Sequence, residues 1–308
     1  MSSKDWMRLI GLSLLWGGSF FFVEIALTGL PTLSVVWGRV AFGAGFLALA
    51  LWFSGTAFPR GAAVWRALLG MGVLNNVIPF TLFALAQGRI SGAMAAILNA
   101  TTPLWGVVLA HLLTGERITA AKAAGLLAGF AGVVVMTGGA ARGDLWASLA
   151  CLAAAVSYGL AGIWGRRFKV LGVTPLGSAF GQVICSATLM TPLWLLVDRP
   201  WRLSLPDGAV IAAILGIAAL STALAYLIYF KLLATAGATV GAAAAWRLPL
   251  AETAAYLVAV TGLGWGLGPL TAQSPALAIG LRFAAGLYLA FLAVKLWRGG
   301  TTAFHERR

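Results

Sequence analysis

Charge is scarce in this chain. Of its 308 residues only 9% are Asp, Glu, Lys or Arg, against roughly a quarter in soluble globular domains. Cysteine is nearly absent. Cys151 and Cys185 both fall in apolar stretches, which supports neither a disulfide framework nor a metal site. There are two histidines. His111 stands alone near the end of an apolar stretch and His305 lies in the tail, so no second ligand sits at metal spacing and no nucleophile–base constellation is visible. No G-x-x-x-x-G-K-[ST] phosphate loop occurs, which argues against ATP-driven pumping by this chain. No cofactor, metal or enzymatic chemistry is expected. Long polar loops are missing too, so little chain is left for a soluble domain.

What is present is apolar. Hydrophobic residues make up 61%, and Gly, Pro and polar residues cut them into ten stretches: 8–28, 33–53, 65–87, 91–113, 119–137, 145–165, 174–197, 208–233, 238–260 and 276–297. A helix rises about 1.5 Å per residue, so roughly 20 apolar residues cross the hydrocarbon layer. The stretches are about twice the length of a barrel strand and do not alternate, which excludes a β-barrel. The expected class is an all-α integral membrane protein with ten transmembrane helices. The first stretch has a basic start like a signal peptide, but its length and the nine that follow make it a retained span.

The net charge of +13 does not point to nucleic acid, because the Lys and Arg residues form no compact patch. Their distribution reports orientation instead. With the N-terminus inside, fourteen (Lys4, Arg8, Arg60, Arg66, Arg117, Lys122, Arg166, Arg167, Lys169, Lys231, Lys295, Arg298, Arg307, Arg308) face the cytoplasm and four (Arg89, Arg142, Arg199, Arg202) the far side. That bias places both termini in the cytoplasm of a multi-pass inner (plasma) membrane protein and requires an even number of crossings.

The chain also repeats itself. Residues 65–105 and 211–251 align at an offset of 146: Gly70 on Gly216, Leu74 on Leu220, Phe83 on Tyr229, Ala96 on Ala242, Pro103 on Pro249 and Leu104 on Leu250. Pro31 and Pro175 each open the second span of a half. The expected units are 1–140 and 141–308, each of five helices. Five is odd, so the second half enters the membrane from the opposite face, an inverted-topology repeat of the kind that recurs in secondary transporters.

The segment 82–137 carries a small-residue run (Ser91–Ala96), then Pro103–Leu104, then Gly115–Glu116–Arg117, then Gly125, Gly129 and Gly132. With Leu15–Phe20 and Gly38–Arg39, this resembles the EamA-type ten-helix exporters of the drug/metabolite transporter superfamily. The resemblance implies transport of small metabolites, with amino acids, aromatic ones among them, a frequent cargo. It weakens after about residue 246, where the second half has Thr261–Gly262–Leu263 instead of a Gly-Glu pair and carries Trp246, Arg247 and Glu252.

Ionisable groups inside spans need a reason. Glu24 is either solvated at the interface, linked to Arg39, or proton-coupling; Glu252 is the second coupling candidate. Arg39 is read as paired structurally in preference to touching substrate. Arg247, beside Pro249, either binds a substrate carboxylate or is satisfied structurally. Polar clusters sit at span centres: Asn75 and Asn76 before the hinge Pro79; Asn99, Thr101 and Thr102 before the hinge Pro103; Ser221, Thr222 and Tyr226 at the matching depth. They either glue helices together or line a cavity. Trp16, Trp105, Trp164 and Trp246 lie deeper than the interfacial tryptophans and, with Tyr158 and Tyr226, form an aromatic wall for aromatic or bulky apolar cargo, or are simply packed. The Gly125/Gly129 stripe either seals the bundle or offers a homodimer face. The resulting expectation is a secondary transporter working by alternating access; a passive channel or a membrane-embedded enzyme acting on lipid is the alternative.

Overall fold

A computed structural model of the chain describes residues 3–120 and 144–229, with isolated positions between 123 and 133. By its contacts the chain divides into two units, residues 1–117 with 142–237 and residues 118–141 with 238–308. In the second, the described residues include one helical turn, Ala123 N–H to Thr119 O at 2.9 Å. Everything below concerns the first. The expected spans 119–137, 238–260 and 276–297 lie outside the described residues, apart from those isolated positions, as do Trp246, Arg247, Pro249 and Glu252.

Seven long helices are described: α1 (Ser3–Ala26), α2 (Thr32–Ser54), α3 (Ala62–Gln87), α4 (Gly92–Thr114), α5 (Leu145–Trp164), α6 (Pro175–Asp198) and α7 (Gly208–Tyr229), with short helical turns at Arg167–Val170 and Pro200–Arg202. Six are long and apolar enough to cross a membrane; in α1 the apolar part, Leu14–Ala26, is shorter. The starts follow local chemistry. Ser91, Asp144, Thr174 and Asp207 each accept a backbone N–H three residues on, from Met94, Ala147, Gly177 and Val210, which satisfies one of the unpaired donors at a helix N-terminus. Gly55 and Gly115 close α2 and α4 in the left-handed region (φ 64° and 70°), where the lack of a Cβ matters.

The helices are not uniform. α3 widens to a π turn at Val73–Val77 and α7 at Ala219–Leu224. These two begin 146 residues apart, the spacing of the sequence repeat; a third π segment, Trp194–Asp198, ends α6. In α3 the Ile78 N–H reaches back five residues to Val73 O. Pro79 comes next and has no N–H to continue that register, so Leu74 O is left without a helical donor. Ser157 of α5 donates its hydroxyl to that carbonyl at 2.7 Å. α4 is interrupted at Ala100–Thr101, and Pro103 stands in the first turn of the part that resumes.

The core lies where α2, α6 and α7 meet, around Val35, Val40, Leu47, Val183, Met190 and Ile217. A second cluster, Ala67, Leu68, Met71, Ala161 and Phe168, joins α3 to α5 and the turn after it. α2 runs antiparallel to α6: Ser34 meets Asp198 at one end and Trp37 stacks on Trp194 at 3.6 Å, while Gly43 lies beside Val183 near the middle. α2 runs parallel to α7, with Gly38 against Ile214 and Gly43 against Thr222. Small residues permit these approaches.

Contacts recur in corresponding pairs. Phe22 of α1 covers Gly216, and Trp164 of α5 covers Gly70. Trp16 packs on Tyr229 at 5.5 Å, and Tyr158 on Phe83 at 6.1 Å. Gly38 faces Ile214, and Gly181 faces Leu68. In each case the α3 and α7 partners are the residues that the 146-residue offset aligns. The outward faces are apolar, with Trp52, Phe53, Val170 and Leu205 prominently exposed, as a lipid-facing surface requires.

Candidate functional site

Where the two π turns face α2 and α6, polar side chains gather inside the apolar core. Asn76, Gln182, Ser186 and Thr222 are fully buried, and Ser221 nearly so. Tyr226 donates its hydroxyl to Asn76 Oδ1 at 2.6 Å and accepts from Asn75 Nδ2 at 3.1 Å. Asn75 Nδ2 also reaches Gln182 Oε1 at 2.9 Å. Asn76 Nδ2 donates to Ser186 Oγ at 2.9 Å, and Ser186 in turn donates to Gln182 O at 2.7 Å. Gly72 allows α3 and α6 to come this close: a Cβ there would lie 2.8 Å from Gln182 O and 2.9 Å from Ser186 Oγ.

Arg39 of α2 enters the same layer. It is 8% exposed. Its Nε donates to Thr222 Oγ1 at 3.1 Å, and its guanidinium lies 3.5 Å over the Phe80 ring. Among the described residues no carboxylate pairs with it, and Nη1 and Nη2 have no acceptor. A cation–π contact contributes about 0.5–2 kcal/mol, whereas an arginine at the centre of a membrane helix costs about 2.5–3.5 kcal/mol by insertion scales. The cation is therefore only partly compensated. Gln182 Nε2 and Ser221 Oγ are also buried without partners. The layer holds more donors than acceptors, which is the chemistry of a site for a group rich in oxygen lone pairs.

The structure brings Asn75, Asn76 and Tyr226 together in this cluster, with the hinge candidate Pro79 just beyond the π turn. Tyr158 stacks on Phe83 beside α5. Trp164 spends its indole N–H on Ala67 O at 2.8 Å and its ring on Gly70, so it holds α5 against α3. Trp16 is 37% exposed, on Tyr229. Trp105 is half-buried where α4 meets Gly159 of α5. Asn99 accepts from Thr102 Oγ1 at 3.3 Å across the break in α4 and does not reach the cluster. Glu24 is exposed and lies beside Gly92 at the start of α4. Of the alternatives for Glu24, the link to Arg39 is not made, because the two side chains meet different neighbours. His111 Nδ1 lies 2.7 Å from Glu116 O at the end of α4.

Three members of the site escaped the sequence reading: Gln182, Ser186 and Ser157. Gln182 had a signal, as the lone amide of the stretch 174–197. Arg39 was named but read as structurally paired. Two hollows among the described residues lie elsewhere: a groove of about 600 Å³ along α2 between Ala41 and Phe58, and one of about 210 Å³ between Trp37, Trp194 and Leu203.

Comparison with known proteins gives a consistent picture. Residues 7–138 match the model of the EamA-like transporter family. The chain is 25% identical over 178 residues to the uncharacterized inner membrane transporter YedA of Escherichia coli strain K12, covering 57% of this chain and 56% of the relative. It is 31% identical over 137 residues to an uncharacterized transporter of Archaeoglobus fulgidus, covering 44% and 46%. A third relative is the uncharacterized transporter YoaV of Bacillus subtilis, 21% identical over 55% of this chain and 60% of its own. These matches span about half the length of the curated relatives. A solved crystal structure superimposes with a TM-score of 0.61 at 21% identity, covering 97% of this chain and 99% of its own; that likeness concerns the fold alone.

Proposed function

We propose, from the match of residues 7–138 to the EamA-like transporter family, that the chain is a secondary transporter of small metabolites in the inner membrane. Amino acids are the proposed cargo, aromatic or bulky apolar ones first, moved outward by alternating access. The proposal includes ten helices in two inverted five-helix repeats with both termini cytoplasmic.

The observation that carries this reading is the pair of π turns, beginning 146 residues apart, that meet α2 and α6 at one buried polar layer. π turns inside α-helices are frequent at functional sites. The antiparallel pairing of α2 with α6, its expected counterpart, supports inversion, since helices in a same-way-up repeat would run parallel. An inverted pair can exchange arrangements between its halves, and that exchange is the physical basis of rocking about a fixed midplane site.

The test is counterflow. Purified protein is reconstituted into liposomes loaded with unlabelled L-tryptophan, and uptake of labelled L-tryptophan is followed without ATP. Saturable uptake accelerated by the internal load is expected. Flux that rises linearly with concentration and ignores the load would make the protein a pore, and no flux of any amino acid across a panel would overturn the cargo assignment.

A further inference from the structure

Arg39 is the buried group whose chemistry the fold leaves incomplete. The fork of a guanidinium presents five N–H donors, and here one of them is used, by Thr222. Phe80 covers its face and occupies no donor. Among the described residues the layer around it offers no charge of opposite sign: Asn75, Asn76, Gln182, Ser186, Ser221, Thr222 and Tyr226 are all neutral. Asp198, the acid at the end of α6, is committed to the backbone N–H and hydroxyl of Ser34, at 2.6 and 2.8 Å.

Position reinforces the point. Gly38 and Gly181 occupy corresponding places, one against Ile214 and the other against Leu68. The next residues are Arg39 and Gln182. Arg39 bonds Thr222, and Gln182 bonds Asn75 and, through its backbone carbonyl, Asn76. Among the described residues the only hydrogen bond of Arg39 is the one from Nε, which leaves Nη1 and Nη2 open, and Gln182 Nε2 is buried without a partner. Oε1 of Gln182 is held by Asn75, which fixes Nε2 as the open end. One side of the layer is therefore cationic and the other neutral, a match for a single negative charge.

We propose that Arg39 is the residue that recognises the carboxylate of the transported solute, by paired N–H···O bonds from its terminal nitrogens. This rests on the transporter reading above and adds the chemical class of group that the site selects. A carboxylate accepts such a fork bidentately, an arrangement that lysine cannot reproduce.

The experiment measures binding and transport separately on the full chain in detergent and in liposomes. The probes are L-tryptophan and tryptamine, which differ by the carboxylate, and indole-3-acetate, which keeps the carboxylate without the amine. Ligand-dependent thermal midpoints read binding, and L-tryptophan counterflow reads transport. Wild-type protein is expected to be stabilised by L-tryptophan and indole-3-acetate and not by tryptamine. Arg39→Gln should weaken both carboxylates by at least about tenfold, the loss of one charge-assisted hydrogen bond, and Arg39→Lys should recover only part of that. Circular dichroism and gel filtration report whether each variant folds, and Arg39→Lys carries the comparison if Arg39→Gln does not.

Equal binding of tryptamine and L-tryptophan would overturn the proposal. So would affinity in Arg39→Gln within twofold of wild type, or no response of wild type to either carboxylate. Carboxylate binding that depends on Arg39 without any counterflow would instead sink the transporter reading and leave the anion site standing. Counterflow that survives Arg39→Gln unchanged would do the reverse.

Discussion

Replacing Tyr226 with Phe removes one hydroxyl and almost no volume, so its effect isolates the polar layer. That hydroxyl is a donor to Asn76 Oδ1 and an acceptor from Asn75 Nδ2. The two losses are unequal. Asn75 Nδ2 keeps Gln182 Oε1 as a partner, but Asn76 is 0% exposed, so its Oδ1 becomes a buried acceptor with nothing to accept. In soluble proteins such an orphan costs about 1–3 kcal/mol. Between membrane helices the measured couplings average about 0.6 and reach about 1.7 kcal/mol, because the dissociated helices also find partners in the bilayer. The lower range governs here, and Tyr226→Phe should destabilise the bundle by about 0.6–1.7 kcal/mol. The control is Tyr158→Phe, whose hydroxyl makes no hydrogen bond among the described residues and whose ring contact with Phe83 survives the change. Its effect should stay under about 0.5 kcal/mol, the usual range away from a specific interaction. Reversible unfolding in mixed micelles with increasing SDS measures both. Equal stabilities for the two variants would mean that the Tyr226–Asn76 bond contributes nothing and that the layer is not assembled as described.

Two further outcomes follow from the packing and the caps. Gly72→Ala should destabilise by about 1–3 kcal/mol through overpacking, because its Cβ would meet Gln182 O at 2.8 Å, whereas Gly45→Ala, with nothing within 4 Å, should be neutral or stabilising in the same SDS titration. At the helix end outside the membrane, the Ala147 N–H and the Arg89 guanidinium hold the Asp144 carboxyl below its ordinary value of 3.8. A carboxyl with a lowered folded-state value stabilises fully above its unfolded value and loses that contribution as pH falls through the folded one. Wild-type stability should therefore be flat near neutrality and decline below about pH 4, and Asp144→Asn, which keeps a cap acceptor, should shrink that decline. An identical acid profile for both proteins would mean that the Asp144 charge does not contribute.

The spans α2 to α7 were legible along the chain. Their start residues came within about three positions of those read from hydropathy, because length and apolarity are local properties and because Ser91, Asp144, Thr174 and Asp207 mark helix starts chemically. The 146-residue offset was legible too, since Gly70, Leu74 and Phe83 align with Gly216, Leu220 and Tyr229. The site was only half legible. Asn75, Asn76, Ser221, Thr222 and Tyr226 stand out as polar residues at span centres. Their partners did not: Gln182 and Ser186 lie more than a hundred residues from Asn75 and Asn76, and nothing local says which helix faces which.

Scarcity of charge and the spacing of apolar stretches determined, from the sequence by itself, that the described chain folds as apolar helices, about where each begins, and which positions align at the 146-residue offset. Tertiary structure alone decided that Arg39 meets Thr222 and Phe80 with no carboxylate at hand among the described residues, that Trp164 is committed to Ala67, and that Glu24 faces Gly92. The physical reason is that periodicity specifies a helix and its rough length, whereas the partner of a buried polar group depends on which helix lies across the interface and at what register.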